Sequence, residues 1–322
     1  GIVYLAYQRK ADNVWAVAGL NADDGSQVWE YDLPSGRSVG PYYSGRIELA
    51  DDRIYVVSDG SPGPALLALD PATGGLVWSK PASSGLRNIA AAGEGVVVLN
   101  RSDGLWAYSA VDGADLSWPR NVRDYIEASA VIQDGHIYHL RKNAFGNSGF
   151  VVSRSLDDGS EDWEYGIDDV YSITALVADS QRVYLTGYNI PELPTRVDAI
   201  DLESGDLAWT NEALSNGLRM LHLGGRLYLE GWTENWSPPG GSADRWTIFN
   251  SETGQKLGAT NGFPDSAVAH GNLTYGDRSF FVWQQQSSLN ALGPYELVSL
   301  ADNVAPTVEV SAPTAGSYRH SD

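Results

Sequence analysis

The side chains best suited to recognise a ligand lie in a loop that follows an apolar segment ending near residue 230. Two tryptophans, Trp232 and Trp236, flank Glu234 and Asn235, and Pro238 restricts the backbone that follows. Aromatic planes beside amide and carboxylate groups can stack on sugar rings or form the centre of a protein interface. The other interpretation is that both tryptophans fold back and cover the edge of a sheet.

Further aromatic side chains are expected on the same face of the protein as this loop. A tyrosine can contact a ligand through its ring and hydroxyl, but the same ring also packs well, so each position has both interpretations. The tyrosines concerned are Tyr42, Tyr43, Tyr125, Tyr171 and Tyr188.

Catalytic patterns are weak in this sequence. The five histidines show no metal-ligand spacing, and no nucleophile elbow, phosphate loop or dinucleotide motif occurs. A polysaccharide lyase could use His222 and Tyr188, with Arg219 neutralising a uronate, but the spacing alone does not bring these three together. The sequence therefore favours a non-catalytic protein, assigns no catalytic residue and leaves a carbohydrate-active enzyme as the alternative.

Paired aspartates resemble calcium loops only in part. Asp157-Asp158-Gly159 is typical of them, and it lacks the alternating oxygen ligands of an EF-hand loop. Turn formation explains such pairs. Asp168-Asp169 is the better calcium candidate, because it is predicted to lie on the same face of the protein as the long loop that carries Trp232 and Trp236. We expect no resident cofactor and leave calcium open.

A repeated turn supplies the elements that must position these residues. The segment Ala68-Leu-Asp70-Pro-Ala-Thr73-Gly74-Gly-Leu-Val-Trp78 reappears at residues 199–209, and looser copies occur elsewhere. The spacing between copies, 39 to 49 residues, suits one four-stranded propeller blade. The turn glycines are Gly25, Gly74, Gly113, Gly159, Gly205 and Gly254.

Short runs of β-branched and aromatic residues, such as Ile54-Tyr55-Val-Val, precede the turns seven times and predict strands. No convincing helical periodicity occurs. We therefore predict an all-β fold, a seven-bladed β-propeller of four-stranded antiparallel blades. In the second blade the strands are expected at about residues 45–49, 53–58, 65–70 and 76–79.

The tryptophan that ends each copy is predicted to dock between neighbouring blades. The third copy has one extra residue before its tryptophan, and the sixth has Gly258 in its place. The predicted structural docking residues are Trp29, Trp78, Trp118, Trp163 and Trp209.

This Ala-x-Asp-x-x-Thr-Gly-x-x-x-Trp pattern is similar to the tryptophan-docking repeat of the PQQ-like β-propellers. The resemblance covers residues 1–303 and implies their fold. Its members include quinone-dependent dehydrogenases, outer-membrane assembly scaffolds and modules of large surface proteins. Many of the dehydrogenases carry adjacent cysteines and a calcium-binding Glu/Asn/Asp set around the quinone. This chain has no cysteine and no matching set, so PQQ is not expected.

Residues 304–322 resemble the opening strand of a bacterial immunoglobulin-like domain. The alternative is that Thr307–Ser311 is the outer strand of the last blade. The resemblances imply a monomeric module of a larger chain, in an extracellular, cell-surface or periplasmic location.

Charge and loop lengths indicate the kind of partner and the face that binds it. The net charge of −20 argues against nucleic acid and anionic membranes, and no apolar run is long enough to span a bilayer. In a blade with strands A to D, the A–B connections are very short, whereas the B–C loops are long and irregular. Long loops on a rigid scaffold tend to carry binding sites. We expect a protein or glycan to bind through the B–C/D–A face.

Overall fold

The computed structural model describes residues 1–9, 11–39, 47–61, 63–82, 86–121, 130–142, 149–167, 172–188, 195–213, 216–232, 245–261, 273–276, 279–284 and 288–291. These residues form strands and turns, and no helix occurs among them. The chain divides into two compact units, Gly1–Leu193 with Val197–Thr210 and Pro194–Arg196 with Asn211–Asp322.

The first unit is built from antiparallel sheets that follow one another along the chain. The first sheet has the order β1-β2-β3, and the second has the order β4-β6-β7-β8 with β5 also on β6. The strands are β1 Ile2–Arg9, β2 Val14–Asn21, β3 Gln27–Asp32, β4 Arg37–Val39, β5 Ile47–Ala50, β6 Arg53–Gly60, β7 Ala65–Leu69 and β8 Leu76–Pro81.

Three further sheets follow in the same unit. Their orders are β11-β10-β9, β12-β13-β14-β15 and β16-β17-β18-β19. The strands are β9 Leu86–Gly93, β10 Val96–Arg101, β11 Gly104–Ser109, β12 Val131–Gln133, β13 His136–Lys142, β14 Gly149–Ser155, β15 Glu161–Ile167, β16 Ser172–Ala178, β17 Arg182–Tyr188, β18 Thr195–Asp201 and β19 Leu207–Ala213.

The second unit carries a sheet of order β20-β21-β22-β23 and a sheet of order β24-β25-β26. The expected outer strand Thr307–Ser311 lies outside the described residues. The strands are β20 Asn216–Leu223, β21 Arg226–Trp232, β22 Arg245–Asn250, β23 Lys256–Asn261, β24 Leu273–Gly276, β25 Ser279–Gln284 and β26 Ser288–Ala291.

The second sheet matches its predicted strands closely, with one addition. β6 is eight residues long, and its first half pairs with β5 while its last three residues pair with β4. A strand of that length extends about 26 Å, enough to pair with two short strands in succession.

Apolar side chains fill the space between consecutive sheets of the first unit. Strand alternation sends successive side chains of a strand to opposite faces, so one strand contributes to two clusters. In β10, Val97 and Leu99 pack towards the second sheet with Tyr55, whereas Val96 and Val98 pack towards the fourth with Ile137. The core therefore lies between the sheets.

Six turns of the same geometry follow strands β2, β7, β11, β14, β18 and β22. The glycine N–H donates to the carbonyl four residues earlier at 2.8–3.0 Å, and the first residue's N–H donates to the carbonyl five residues later at 2.8–3.0 Å. Every turn glycine has φ between 68° and 74°, a conformation that favours glycine. The turns begin at Asn21, Asp70, Ser109, Ser155, Asp201 and Asn250.

The repeat also places three residues opposite one another across each regular sheet. Tyr55 in β6 lies opposite Ala68 in β7, which lies opposite Trp78 in β8, and the two rings are 6.0 Å apart. The same row occurs as Tyr4, Gly19 and Trp29, and as Tyr138, Ser153 and Trp163. A small residue in the middle strand allows the two rings to meet over it. This contact explains why the repeat begins with a small residue.

Three tryptophans also hydrogen-bond to the next sheet of the first unit. Each indole Nε1 donates to the carbonyl of the second residue in the next repeated turn. The pairs are Trp29 with Pro71 at 2.9 Å, Trp78 with Ala110 at 3.0 Å and Trp163 with Leu202 at 2.9 Å.

The third sheet departs from this arrangement. Its extra residue places Ser117 at φ 56°, and only Asp115 forms a bridge, to Tyr108. Trp118 still packs against Gly159 of the next turn, but its buried Nε1 has no hydrogen-bond partner in the described part of the chain. The added residue has displaced the indole from the position where its N–H would meet a carbonyl.

This difference predicts unequal costs for the same substitution. Trp78→Phe removes a hydrogen bond, whereas Trp118→Phe removes an indole N–H that is buried without a partner. Because an unsatisfied buried donor costs about 1–3 kcal/mol, we expect Trp118→Phe to be less destabilising than Trp78→Phe by about 1 kcal/mol or more. Urea unfolding of both variants measures the difference, and equal losses would contradict the assignment.

Candidate functional site

In the first unit, structural hydrogen bonds occupy the end of the sheets that carries the repeated turns and the β5–β6, β9–β10 and β12–β13 hairpins. In the first unit, Asp51 Oδ2 accepts from Gly95 N of the next sheet at 2.8 Å, and Glu94 Oε2 accepts from Gly135 N at 2.6 Å. These short hairpins tie neighbouring sheets together. We call the opposite end of these sheets, where β1 connects to β2 and β10 connects to β11, the loop end.

The aromatic residues singled out in the sequence fall mainly outside the described residues. Trp232 is the last residue of β21, opposite Asn216, and Tyr188 is the last residue of β17, opposite Ser172. Both were expected in loops and instead end strands. The residues outside the described ranges are Trp236, Glu234, Asn235, Tyr42, Tyr43, Tyr125 and Tyr171, and the calcium candidates Asp168 and Asp169.

The histidines and acidic turn residues that the structure describes make contacts within the fold. His222 Nε2 lies 3.3 Å from Ser251 Oγ, and His139 is fully buried in β13. Asp158 Oδ1 accepts from Ser160 N at 2.9 Å, as expected of a turn carboxylate. No group of three or more His, Asp or Glu side chains that could hold a metal occurs in the ranges given above.

A feature that the sequence analysis missed recurs at the loop end of the first unit. In three sheets an arginine at or next to the end of a strand that runs to the loop end contacts acidic side chains. These arginines are Arg9 in β1, Arg101 in β10 and Arg141 in β13.

In the first sheet, Arg9 gathers three carboxylates. Its guanidinium contacts Asp12 at 2.8 Å, Glu30 at 2.6 Å and Asp32 at 2.9 Å. Tyr7 also donates to Glu30 at 2.7 Å, and burial, followed by this hydrogen bond, raises the pKa of Tyr7 to about 12. The acidic partners outnumber the cation, so this cluster is closed to an additional anion.

In the fourth sheet, two buried arginines share one carboxylate. Arg154 donates to Glu161 at 2.7 Å, and Arg141 donates to both oxygens of Glu161 and to Glu164 at 2.7 Å. Arg154 also donates to the Pro119 carbonyl of the third sheet at 3.0 Å. The hydrogen bonds from Arg141 are the main cause that holds the pKa of Glu161 below its ordinary value of 4.5. This cluster joins two sheets.

In the third sheet, two arginines stack on one indole. The guanidinium carbon of Arg101 lies 3.8 Å from the Trp106 ring centroid, and that of Arg120 lies 3.3 Å from it. Two guanidinium groups at these distances must lie on opposite faces of the ring. Asp103 Oδ1 accepts from Trp106 Nε1 at 3.1 Å, and Asp115 lies 3.5 Å from Arg120. We call these five residues the arginine stack.

The departure of the third sheet from the repeat is what builds the arginine stack. Residues after the extra position run beside β11 without forming a regular strand, and they bring Asn121 against Gly104. A Cβ at Gly104 would lie 2.8 Å from the Asn121 carbonyl oxygen, and φ there is 120°. Only glycine permits this approach, which places Arg120 over Trp106. The extra residue before Trp118 was the sequence signal that could have directed attention here.

Comparison with known proteins gives one family. The profile of the family described as "Outer membrane protein assembly factor BamB" matches residues 15–230. A curated relative, outer membrane protein assembly factor BamB of Yersinia pestis, is 25% identical over 240 residues, which are 68% of this chain and 57% of the relative. The chain therefore spans little more than half the length of that protein.

Solved structures share the fold. BamB from Moraxella catarrhalis matches with a TM-score of 0.55 at 15% identity, over 90% of this chain and 85% of that one. The WD40 domain of Toxoplasma gondii coronin matches with a TM-score of 0.57 at 9% identity, over 91% and 72%. Both are similar in architecture, and the present chain is thus an all-β protein of the propeller type. Within the part of the chain that the structure describes, no helix long and apolar enough to cross a membrane occurs.

Proposed function

Since this chain belongs to the family of the outer membrane protein assembly factor BamB, we propose that it is a non-catalytic, periplasmic module that binds protein partners during outer-membrane assembly. The family match over residues 15–230 carries the proposal. The architecture is consistent with the proposal, because the described residues form successive antiparallel sheets, and a solved BamB structure has a similar fold.

We further infer a seven-bladed propeller over residues 1–303, to whose last blade the tail that follows adds Thr307–Ser311 as the outer strand. The support is the count of repeats in the sequence and the two sheets that show three strands each at the ends of the chain. No resident cofactor is required by this proposal.

The loop end is the face to which we assign partner binding. The opposite end is taken up by hairpin and turn hydrogen bonds between neighbouring sheets of the first unit. The loop end of the first unit carries the exposed turn with Asp12 and the pair Arg120–Asp115, and Tyr188 ends a strand that runs towards it. A protein partner fits better than a glycan, because these described groups are ionic.

Site-specific photo-crosslinking in the periplasm of cells that assemble outer-membrane proteins tests the proposal. A crosslinking amino acid replaces Ser102, an exposed residue of the β10–β11 turn at the loop end, or Ala72, an exposed residue of the β7–β8 turn at the other end. We expect Ser102 to crosslink to a component of the assembly machinery and Ala72 not to do so.

Two results would overturn the proposal. One is that neither position crosslinks to an assembly component, and the other is that the crosslink forms from Ala72 alone. The double change Trp232→Ala/Trp236→Ala in the Ser102 background tests whether the aromatic loop takes part, and an unchanged crosslink would exclude those tryptophans from the interface.

A further inference from the structure

We propose that the arginine stack binds a carboxylate presented by an extended acidic segment of a protein partner. This inference rests on the proposed function and deepens it by naming the chemistry of the partner. Arg120 is the binding residue, Trp106 is its platform, and Arg101 and Asp103 hold that platform from behind.

The platform is fixed before any partner arrives. Arg101 is buried, with 5% of its surface exposed, and it covers one face of Trp106. Asp103 accepts the hydrogen bond from the indole N–H and lies 3.4 Å from Arg101. These contacts prevent the ring from turning, so stacking on it restricts the guanidinium of Arg120. Such preorganisation lowers the entropy lost when a ligand binds.

The N–H donors that Arg120 has available are suited to bind a carboxylate. Its side chain is 41% exposed, and its single ion pair within the described residues is with Asp115 at 3.5 Å, longer than a good charge-assisted hydrogen bond. A guanidinium has five N–H donors in a planar fork, and stacking on an indole occupies its face but leaves its edge. A carboxylate can therefore approach in the guanidinium plane and bind bidentately.

The other two arginine clusters of the first unit lack this capacity. Arg9 is surrounded by three carboxylates, and Arg141 and Arg154 are almost fully buried against Glu161. The arginine stack also lies where the third sheet shows no regular fourth strand among its described residues, which likewise offer no hydrogen-bond partner to the buried Nε1 of Trp118. Local departures from a repeat that cost stability are expected at functional sites.

Fluorescence anisotropy with a labelled peptide of alternating Asp and Ser residues tests the inference, with the matching Asn–Ser peptide as the neutral probe. We expect the Asp peptide to bind more tightly, and Arg120→Gln to weaken it about tenfold, as for loss of a charge-assisted bidentate contact. Arg120→Lys should fall between the two, because lysine keeps the charge but loses the planar fork. Arg53→Gln is the control, since it removes the same charge at the opposite end of the second sheet.

The inference is overturned if Arg120→Gln binds the Asp peptide as the unchanged protein does, or if Arg53→Gln weakens binding equally. The Ser102 crosslink separates this failure from that of the proposed function. A crosslink to the assembly machinery that persists at full yield with Arg120→Gln rejects the arginine stack alone. Loss of the crosslink with Arg120→Gln but not with Arg53→Gln supports it.

Discussion

Glu161→Gln is expected to lower the free energy of unfolding by about 3 kcal/mol at neutral pH, because it leaves two buried arginines without their shared carboxylate. The side chains of Arg154 and Arg141 are only 2% and 8% exposed, so water cannot replace the lost partner. Glu161 itself is 42% exposed, which places the cost at the low end for breaking a buried ion pair.

The loss of stability caused by Glu161→Gln should become smaller as the pH falls. The pKa of Glu161 is lowered in the folded state, chiefly by the hydrogen bonds from Arg141, from an ordinary value of 4.5. A carboxyl group with a depressed folded pKa contributes stability that is present above the unfolded pKa and is lost as the pH falls through the folded pKa. The difference between the unchanged protein and the variant should therefore be constant above about pH 6 and shrink below pH 4.5.

Glu203→Gln provides a matched control for this experiment. Glu203 lies in the exposed turn between β18 and β19, and the same chemical change there should alter stability by less than about 0.5 kcal/mol. Urea unfolding at several pH values measures both variants. Equal losses from the two substitutions, or a difference that does not change with pH, would show that Glu161 does not hold the buried arginines.

Gly205→Ala is expected to cost about 3 kcal/mol, because it combines backbone strain with a clash. The residue has φ 74°, where an alanine costs about 1–2 kcal/mol. A Cβ there would also lie 2.7 Å from Trp163 Cδ2, inside the closest approach of real side chains. The indole would have to leave the Leu202 carbonyl to which its Nε1 donates at 2.9 Å.

Gly135→Ala isolates the strain from the clash. Gly135 has φ 76°, nearly the value at Gly205, but a Cβ there has no neighbour within 4 Å. It should cost only the backbone component, about 1–2 kcal/mol. Thermal or urea unfolding of both variants gives the packing component by difference. If the two variants lose the same stability, the tryptophan does not constrain the turn glycine.

The repeated turn could be predicted in detail because its cause is local. Asp70 Oδ1 accepts from Thr73 N at 2.8 Å and from Thr73 Oγ1 at 2.9 Å, and Gly74 supplies the positive φ. These interactions lie within a few residues of sequence, so the spacing of Asp, Thr and Gly fixes the geometry. The tyrosine that meets each tryptophan could not be found this way, because its position depends on pairing across two strands.

The candidate site shows the same difference between features set by residues close in sequence and features set by pairing across strands. Aromatic residues in irregular segments directed the sequence analysis to Trp232, which ends a strand, and to residues outside the described ranges. The arginine stack was missed, because Arg101 and Arg120 are 19 positions apart and neither belongs to a motif. Their meeting on Trp106 requires the chain to pass beside β11 at Gly104.

The sequence by itself determined the all-β architecture, the strands of the regular sheets and the six turns. Those features arise from short runs of β-branched and aromatic residues and from hydrogen bonds between residues close in the chain. Only the tertiary structure decided which charges meet, namely Arg154 and Arg141 on Glu161 and Arg120 on Trp106. Ion pairs and stacking act between side chains on different strands, and their partners are set by register and by the one added residue before Trp118, not by proximity in sequence.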